Sequence, residues 1–175
     1  MKVSLSQTPV LETERLILRA PKASDWPLWR DYFRTERSRF NRPGDTDDEK
    51  SWRAFGHFIG HWVLHGFGSF VITWKGNDTP IGSCGPWFPY GWPEREIGWM
   101  IWSQDNEGKS VAYEGAQAAR NFAFDTLGWD TAVSYIVADN PRSIALAERL
   151  GATQDPSAST PGDVPCFVYR HRRPA

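Results

Sequence analysis

The chain is poor in the residues that build disulfide frameworks and metal clusters. Its two cysteines, Cys84 and Cys166, lie far apart, and neither belongs to a C-x-x-C pair. Two reduced, partly buried thiols are therefore expected, with no metal ligands. No apolar run approaches the ~18–20 residues that a membrane span needs. The opening MKVSLSQTPV lacks a long apolar stretch, so no signal peptide is expected and a cytoplasmic location fits. Charge of one sign is also missing. With 20 Lys and Arg against 21 Asp and Glu, the net charge is −1, which offers no basic field for nucleic acid. Arg170-His171-Arg172-Arg173 is locally basic but short, and reads as a solvated tail.

What remains is the composition of a soluble globular protein: 175 residues, 40% hydrophobic and 23% charged, enough for one domain with a full core over residues 1–175. Ten tryptophans are many for this length. Trp87, Trp92, Trp99 and Trp102 cluster with Phe88 and Tyr90 among Pro and Gly, a pattern that suits either a pocket wall or packing mass.

The periodicity predicts the elements in the order β-α-α-β-β-β-α-β-α-β. Residues 13–20 alternate as a strand, with Leu16 and Leu18 on one face. Ser24-Asp25 offers a cap for a helix over 25–35, and 41–47 is a loop. Asp47-Asp48-Glu49 opens a second helix to about Leu64, whose apolar stripe is Trp52, Phe55, Ile59, Trp62 and Val63 and which Gly66 and Gly68 end. His57, His61 and His65, at i, i+4 and i+8, fall opposite that stripe. No acidic or cysteine partner supports a metal there, so they read as a solvated face, or as the border of a ligand site.

Strands follow at 69–75, from Pro80, and at 94–102, making the middle of the chain a hairpin-rich antiparallel sheet. A helix over 109–127, ended by Gly128, has a small-residue side of Ala112, Gly115, Ala116 and Ala119. A strand (131–138), a helix (141–150), a loop (154–164) and a last strand (166–171) complete the chain.

Two segments carry chemistry. Residues 102–110 join a strand to a long helix, whose first N–H groups and dipole, with Lys109, favour an anion such as a pyrophosphate; an ordinary loop would have the same outline. Asn140 and Ser143 place an amide and a hydroxyl past the end of a strand, in the first turn of the last helix, where ligand binding and helix capping are both open.

These segments, with T13-E-R-L-I-L-R-A-P, I81-G-S, E96-I-G-W-M-I, G108-K-S-V-A-Y-E-G and D139-N-P-R-S…R149-L-G-A, resemble the GNAT superfamily of N-acetyltransferases over about residues 11–170. The likeness is to the ribosomal-protein-alanine N-acetyltransferase-like branch. It implies a single α/β (α+β) domain. Its mixed, mostly antiparallel sheet would be splayed at a cleft for acetyl-CoA and flanked by helices.

The resemblance also implies roles for residues. The family's Q/R-x-x-G-x-G/A pyrophosphate loop maps onto Glu107, Gly108, Lys109, Ser110, Val111 and Ala112. Glu107 stands where Gln or Arg is usual, and Ser110 where Gly is usual; an acidic side chain facing a pyrophosphate repels it. The backbone of Met100, Ile101 and Trp102 would pair with the pantetheine arm, Asn140 would bond the arm, and Ser143 would protonate the leaving thiolate. Glu96 is the first candidate for the base that frees the attacking amine, with Glu94 second. A backbone N–H near Ile101 would stabilise the oxyanion.

The expected partners are acetyl-CoA and a primary amine, on a protein N-terminus or a small molecule, with neither nucleic acid nor membrane. Exposed Trp and Phe leave a homodimer open. Glu107 and Ser110 motivate a non-enzymatic alternative, an acyl-CoA sensor or interaction domain.

Overall fold

Leu16 and Leu18 are fully buried and open the first long strand, as their alternation requires. The computed structural model describes residues 5, 7–41, 47–162 and 165–173. Its elements are β1 (Leu11–Glu12), β2 (Leu16–Arg19), α1 (Trp26–Phe33), α2 (Asp48–His65), β3 (Phe70–Trp74), β4 (Asn77–Trp87), β5 (Glu96–Ile101), α3 (Val111–Asp125), β6 (Thr131–Ile136), α4 (Pro141–Arg149), β7 (Thr153–Gln154) and β8 (Phe167–Arg172). Of the loop expected at 41–47, residues 42–46 lie outside the described residues. The short strands β1 and β7 were not anticipated; two residues are too few for a period.

All eight strands form one sheet in the order β1-β2-β3-β4-β5-β6-β8-β7. Neighbours are antiparallel except β5 and β6, which run parallel and meet at a single register pair, Glu96 with Val133. Past that pair the two strands diverge. The hydroxyl of Ser134 donates to the Ile97 carbonyl at 2.6 Å and so replaces the next ladder bond. The expected splayed, mostly antiparallel sheet is present, and its opening begins at Glu96.

Helices cover both faces. Met100, Val71 and Trp102 pack with Trp29, Phe33, Phe55 and Phe58 on the α1/α2 face. On the other face, Ile72, Ile81 and Cys84 pack with Val111, Ala119 and Phe122 of α3. The small side of α3 permits a close approach: a Cβ on Gly115 would stand 3.0 Å from Cys84 Sγ and 3.1 Å from Ile72 Cδ1. Cys84 and Cys166 are both free thiols, as expected.

Three local expectations need correction. Asp25 is the residue before α1 but makes no cap bond to that helix; it is buried, accepts the Lys22 N–H at 2.8 Å and is ion-paired with Arg19. In α2 the buried side is Ser51, Ala54, Phe55, Phe58, His61 and Trp62, whereas Trp52 and Val63 are exposed. The basic end is not a tail: Arg170, His171 and Arg172 belong to β8, His171 is buried, and Arg170 pairs with Glu94 and Asp155. Alternation inside a strand, not net charge, decides which of these side chains face water.

Candidate active site

The divergence of β5 and β6 opens a cavity of about 240 Å³ that crosses the sheet. On the α4 side it is lined by Val137, Asn140 and Ser143, and on the α1/α2 side by Trp29, Phe33, Phe58 and Trp87. Period-2 alternation turns Glu96, Gly98 and Met100 to the α1/α2 face and Ile97, Trp99 and Ile101 to the α3/α4 face.

Glu96 sits at the closed corner of the opening. Its Oε2 accepts the indole N–H of Trp92 at 2.7 Å, and the Tyr135 backbone bonds the carboxylate from β6. Burial still wins and raises its pKa to about 7, against these two bonds, which lower it. Gly98 lies beside it on the same face, where a Cβ would come 3.6 Å from Glu96 Oε1, so the absence of a side chain keeps the carboxyl open to the cavity. Glu94, the second candidate, is committed elsewhere: both its oxygens accept from Arg170, at 2.7 and 2.9 Å.

Asn140 caps α4, its Oδ1 accepting the Ser143 N–H at 3.2 Å, and both residues line the cavity as well, so capping and exposure to a ligand coexist. The Ser143 oxygen accepts the indole N–H of Trp99 at 3.2 Å, which leaves its own hydrogen available to donate.

The loop before α3 turns through two left-handed residues, Gly108 (φ 73) and Ser110 (φ 60). The helical ladder starts with Glu114 N–H to the Ser110 carbonyl, so the N–H groups of Val111, Ala112 and Tyr113 lack a partner inside the helix. Thr13 and Arg15 hold this turn in place. Both donate to Glu114, and Arg15 also donates to the Lys109 carbonyl at 3.1 Å. Ser110 Oγ faces Arg149 at 3.4 Å. These donors suit an anion such as a pyrophosphate.

Glu107 does not stand as a bare charge. Its oxygens accept from Arg37 at 2.7 Å and from Arg142 at 2.6 Å, and the two guanidiniums hold its carboxyl below the usual range despite desolvation, the largest opposing effect. The repulsion expected from this position is offset by a net positive pair around it. Neither arginine was singled out in the sequence, because they lie 70 and 35 residues from Glu107.

The edge of β5 is shorter than expected. The Met100 carbonyl faces β4, where it would collide with a Cβ on Gly82; the Met100 side chain is what reaches the cavity. Arg37 donates to the carbonyls of Ile101 (2.7 Å) and Trp102 (2.9 Å), and the Trp102 N–H goes to the Ile81 carbonyl. By strand alternation, the Ile101 N–H and the main chain of Trp99 face the open edge.

His61 was misjudged as solvated. Its Nε2 accepts the Phe88 N–H at 3.0 Å, which obliges Nδ1 to carry the hydrogen it shares with the Phe67 carbonyl at 2.8 Å. The ring stacks on Trp87 with centroids 4.3 Å apart, so this histidine braces the cavity wall. His57 and His65 are exposed.

Residues 15–153 match the family model of the acetyltransferase (GNAT) domain. A crystal structure of an acetyltransferase from Agrobacterium tumefaciens is 35% identical, with 99% of each chain covered and a TM-score of 0.88. A ribosomal-protein-serine acetyltransferase structure from Vibrio cholerae shares the fold at 17% identity, covering 97% of this chain and all of the other, with a TM-score of 0.71. The microcin C7 self-immunity acetyltransferase MccE, solved with acetyl-CoA and AMP, does so at 14% identity and a TM-score of 0.71, covering 92% and 94% of the two chains. The family match and the 35% identical structure define the class: an acetyltransferase. The chain belongs to the GNAT family of acetyl-CoA-dependent N-acetyltransferases.

Proposed function

We propose that this enzyme transfers the acetyl group of acetyl-CoA directly to a primary amine, with Glu96 as base and Ser143 as acid. The observation that carries the proposal is the carboxyl of Glu96, set at the corner of the cavity with a pKa near neutrality. A base so tuned can take a proton from an ammonium at working pH and still be ionised often enough to act.

The amides of Val111 to Tyr113 and the loop 107–112 would hold the pyrophosphate, helped by Lys109 and the Arg37–Glu107–Arg142 cluster. Asn140 and the open edge of β5 at Trp99 and Ile101 would take the pantetheine arm. Glu96 removes the amine proton, the nitrogen forms its bond to the thioester carbonyl carbon, and the Ile101 N–H steadies the oxyanion. As the C–S bond breaks, the Ser143 hydroxyl delivers a proton to sulfur and is restored by the proton that the nitrogen loses on becoming an amide.

A covalent route through cysteine has no support. Cys84 is buried beneath α3 with its pKa driven up by desolvation, far from a nucleophilic thiolate. The non-enzymatic alternative loses its main motive, because Glu107 is neutralised by two arginines. Among the described residues no helix is long and apolar enough to cross a membrane, which fits an enzyme acting in the cytoplasm.

The test is mass spectrometry of the products formed from acetyl-CoA and pooled amines and peptides, run beside Glu96→Gln. Acetylated products that disappear in the variant support the reading. Product formation by Glu96→Gln at the wild-type rate and with the wild-type pH profile refutes the role of the carboxylate.

A further inference from the structure

On the α1/α2 side of the sheet the cavity changes character. The polar limb at Asn140 and Ser143 gives way to a wall of Trp29, Phe40, Phe58, Trp87 and Trp92, with Tyr135 beside Trp92 at 6.4 Å and 84°. The wall is braced. Trp87 lies flat on His61, whose ring nitrogens are both engaged, and Trp29 is locked among Phe33, Phe55 and Phe58. Such rings present large apolar faces at little further cost in conformational entropy.

The charge pattern is as narrow as the wall is apolar. Among the described lining residues Glu96 is the one carboxylate, and no Lys, Arg or Asp accompanies it. An acceptor with one ammonium finds a partner that takes its proton; until then its charge is attracted to the tryptophan faces. A second ammonium would be stripped of water with nothing opposite it. The cavity of about 240 Å³ is also small beside the ~300–1,000 Å³ of sites for drug-sized ligands, and the thioester end of the donor must share it.

We infer that the acceptor is a small monoamine on an aromatic body, an arylalkylamine, which lays its ring against Trp87 and Phe40 and turns its nitrogen to Glu96. This rests on the reading of the site as an amine acetyltransferase. The side of the cavity opposite α4 is then the acceptor limb, and Gly98 keeps the passage between ring and carboxyl clear. Among the described lining residues, polyamines and lysine-rich peptides meet an aromatic wall with no carboxylate beyond Glu96.

The experiment uses the full chain with saturating acetyl-CoA and compares kcat/KM for 2-phenylethylamine and tryptamine with that for ethylamine, spermidine and a lysine-containing peptide starting with Ala. The arylalkylamines are expected to exceed each of the others by at least about tenfold, the value of burying one ring face. Phe40→Ala, a partly buried wall position, should raise KM for 2-phenylethylamine about tenfold. The kcat/KM for ethylamine, which has no ring to lay there, should fall by less than that for 2-phenylethylamine. Trp87→Leu should act in the same sense, and a thermal melt separates its effect on binding from any loss of fold.

Spermidine or the peptide as the best acceptor would overturn the inference while leaving acetyl transfer standing. So would an unchanged KM for 2-phenylethylamine in Phe40→Ala. Acetylation of none of these amines would sink both the inference and the reading beneath it.

Discussion

The indole of Trp92, from the loop before β5, donates to the carboxylate of Glu96 at 2.7 Å. The bond favours the charged form, while the surrounding burial opposes it and dominates. Removing it in Trp92→Phe should therefore raise the Glu96 pKa further above about 7. The acid limb of the kcat/KM profile should move to higher pH by about half a unit to one unit, the value of one neutral-donor bond. A limb that stays put or moves to lower pH would show that Trp92 does not tune this carboxylate. In Glu96→Gln the limb should vanish and kcat fall by about 10²-fold or more.

Arg142 projects from the first turn of α4 to Glu107 and is largely exposed, at 83% of its side chain. If it serves the pyrophosphate, Arg142→Ala should weaken acetyl-CoA binding about tenfold, as expected for a charge-assisted bond at a screened site. Binding of acetylpantetheine, which lacks the pyrophosphate, should not change. Calorimetry with both ligands at two salt concentrations checks this. Equal weakening of both would mean that Arg142 acts on the fold of α4.

His61 is buried as the neutral ring, with its pKa lowered to about 4 chiefly by desolvation. The unfolded chain takes up a proton near pH 6.5 while the folded chain does not, so this residue's contribution to stability is complete above that pH. It is lost as pH falls from 6.5 towards 4. His61→Leu strands the Phe88 N–H and the Phe67 carbonyl and should cost about 3 kcal/mol at pH 7.5. Urea unfolding should show the gap between wild type and variant narrowing at pH 4.5. Glu96 works in the opposite direction: its raised pKa makes the fold lose stability as pH rises from 4.5 through about 7.

Ser110 holds φ 60 at the start of α3, a conformation that glycine adopts without penalty. Ser110→Gly should stabilise the protein by about 1 kcal/mol, since the relieved strain exceeds the weak 3.4 Å contact with Arg149. Thermal unfolding measures it, and a lower midpoint would show that the Arg149 contact matters more than the backbone.

Much of the fold was legible in local pattern. The alternation around Leu16 and Leu18, the acidic start of α2 with Asp47 capping Glu49, and the small side of α3 all appear where periodicity and capping chemistry place them. Asn140, Ser143 and Glu96 each sit at the end or beginning of a regular element and line the opening.

Pattern failed where a partner distant in sequence decided the outcome. His61 looked solvated because it falls opposite the apolar stripe expected for this helix; a main-chain N–H 27 residues away made its burial tolerable. Glu107 looked repulsive because the arginines that neutralise it, Arg37 and Arg142, reach it from other elements. Local spacing thus determined which segments become strands and helices and which carry a donor-rich turn, since backbone sterics and burial of one face act over a few residues. Only the tertiary structure decided which charges are neutralised, which edge of β5 stays open and what lines the cavity. Those outcomes depend on desolvation and pairing between groups that meet when the sheet is assembled.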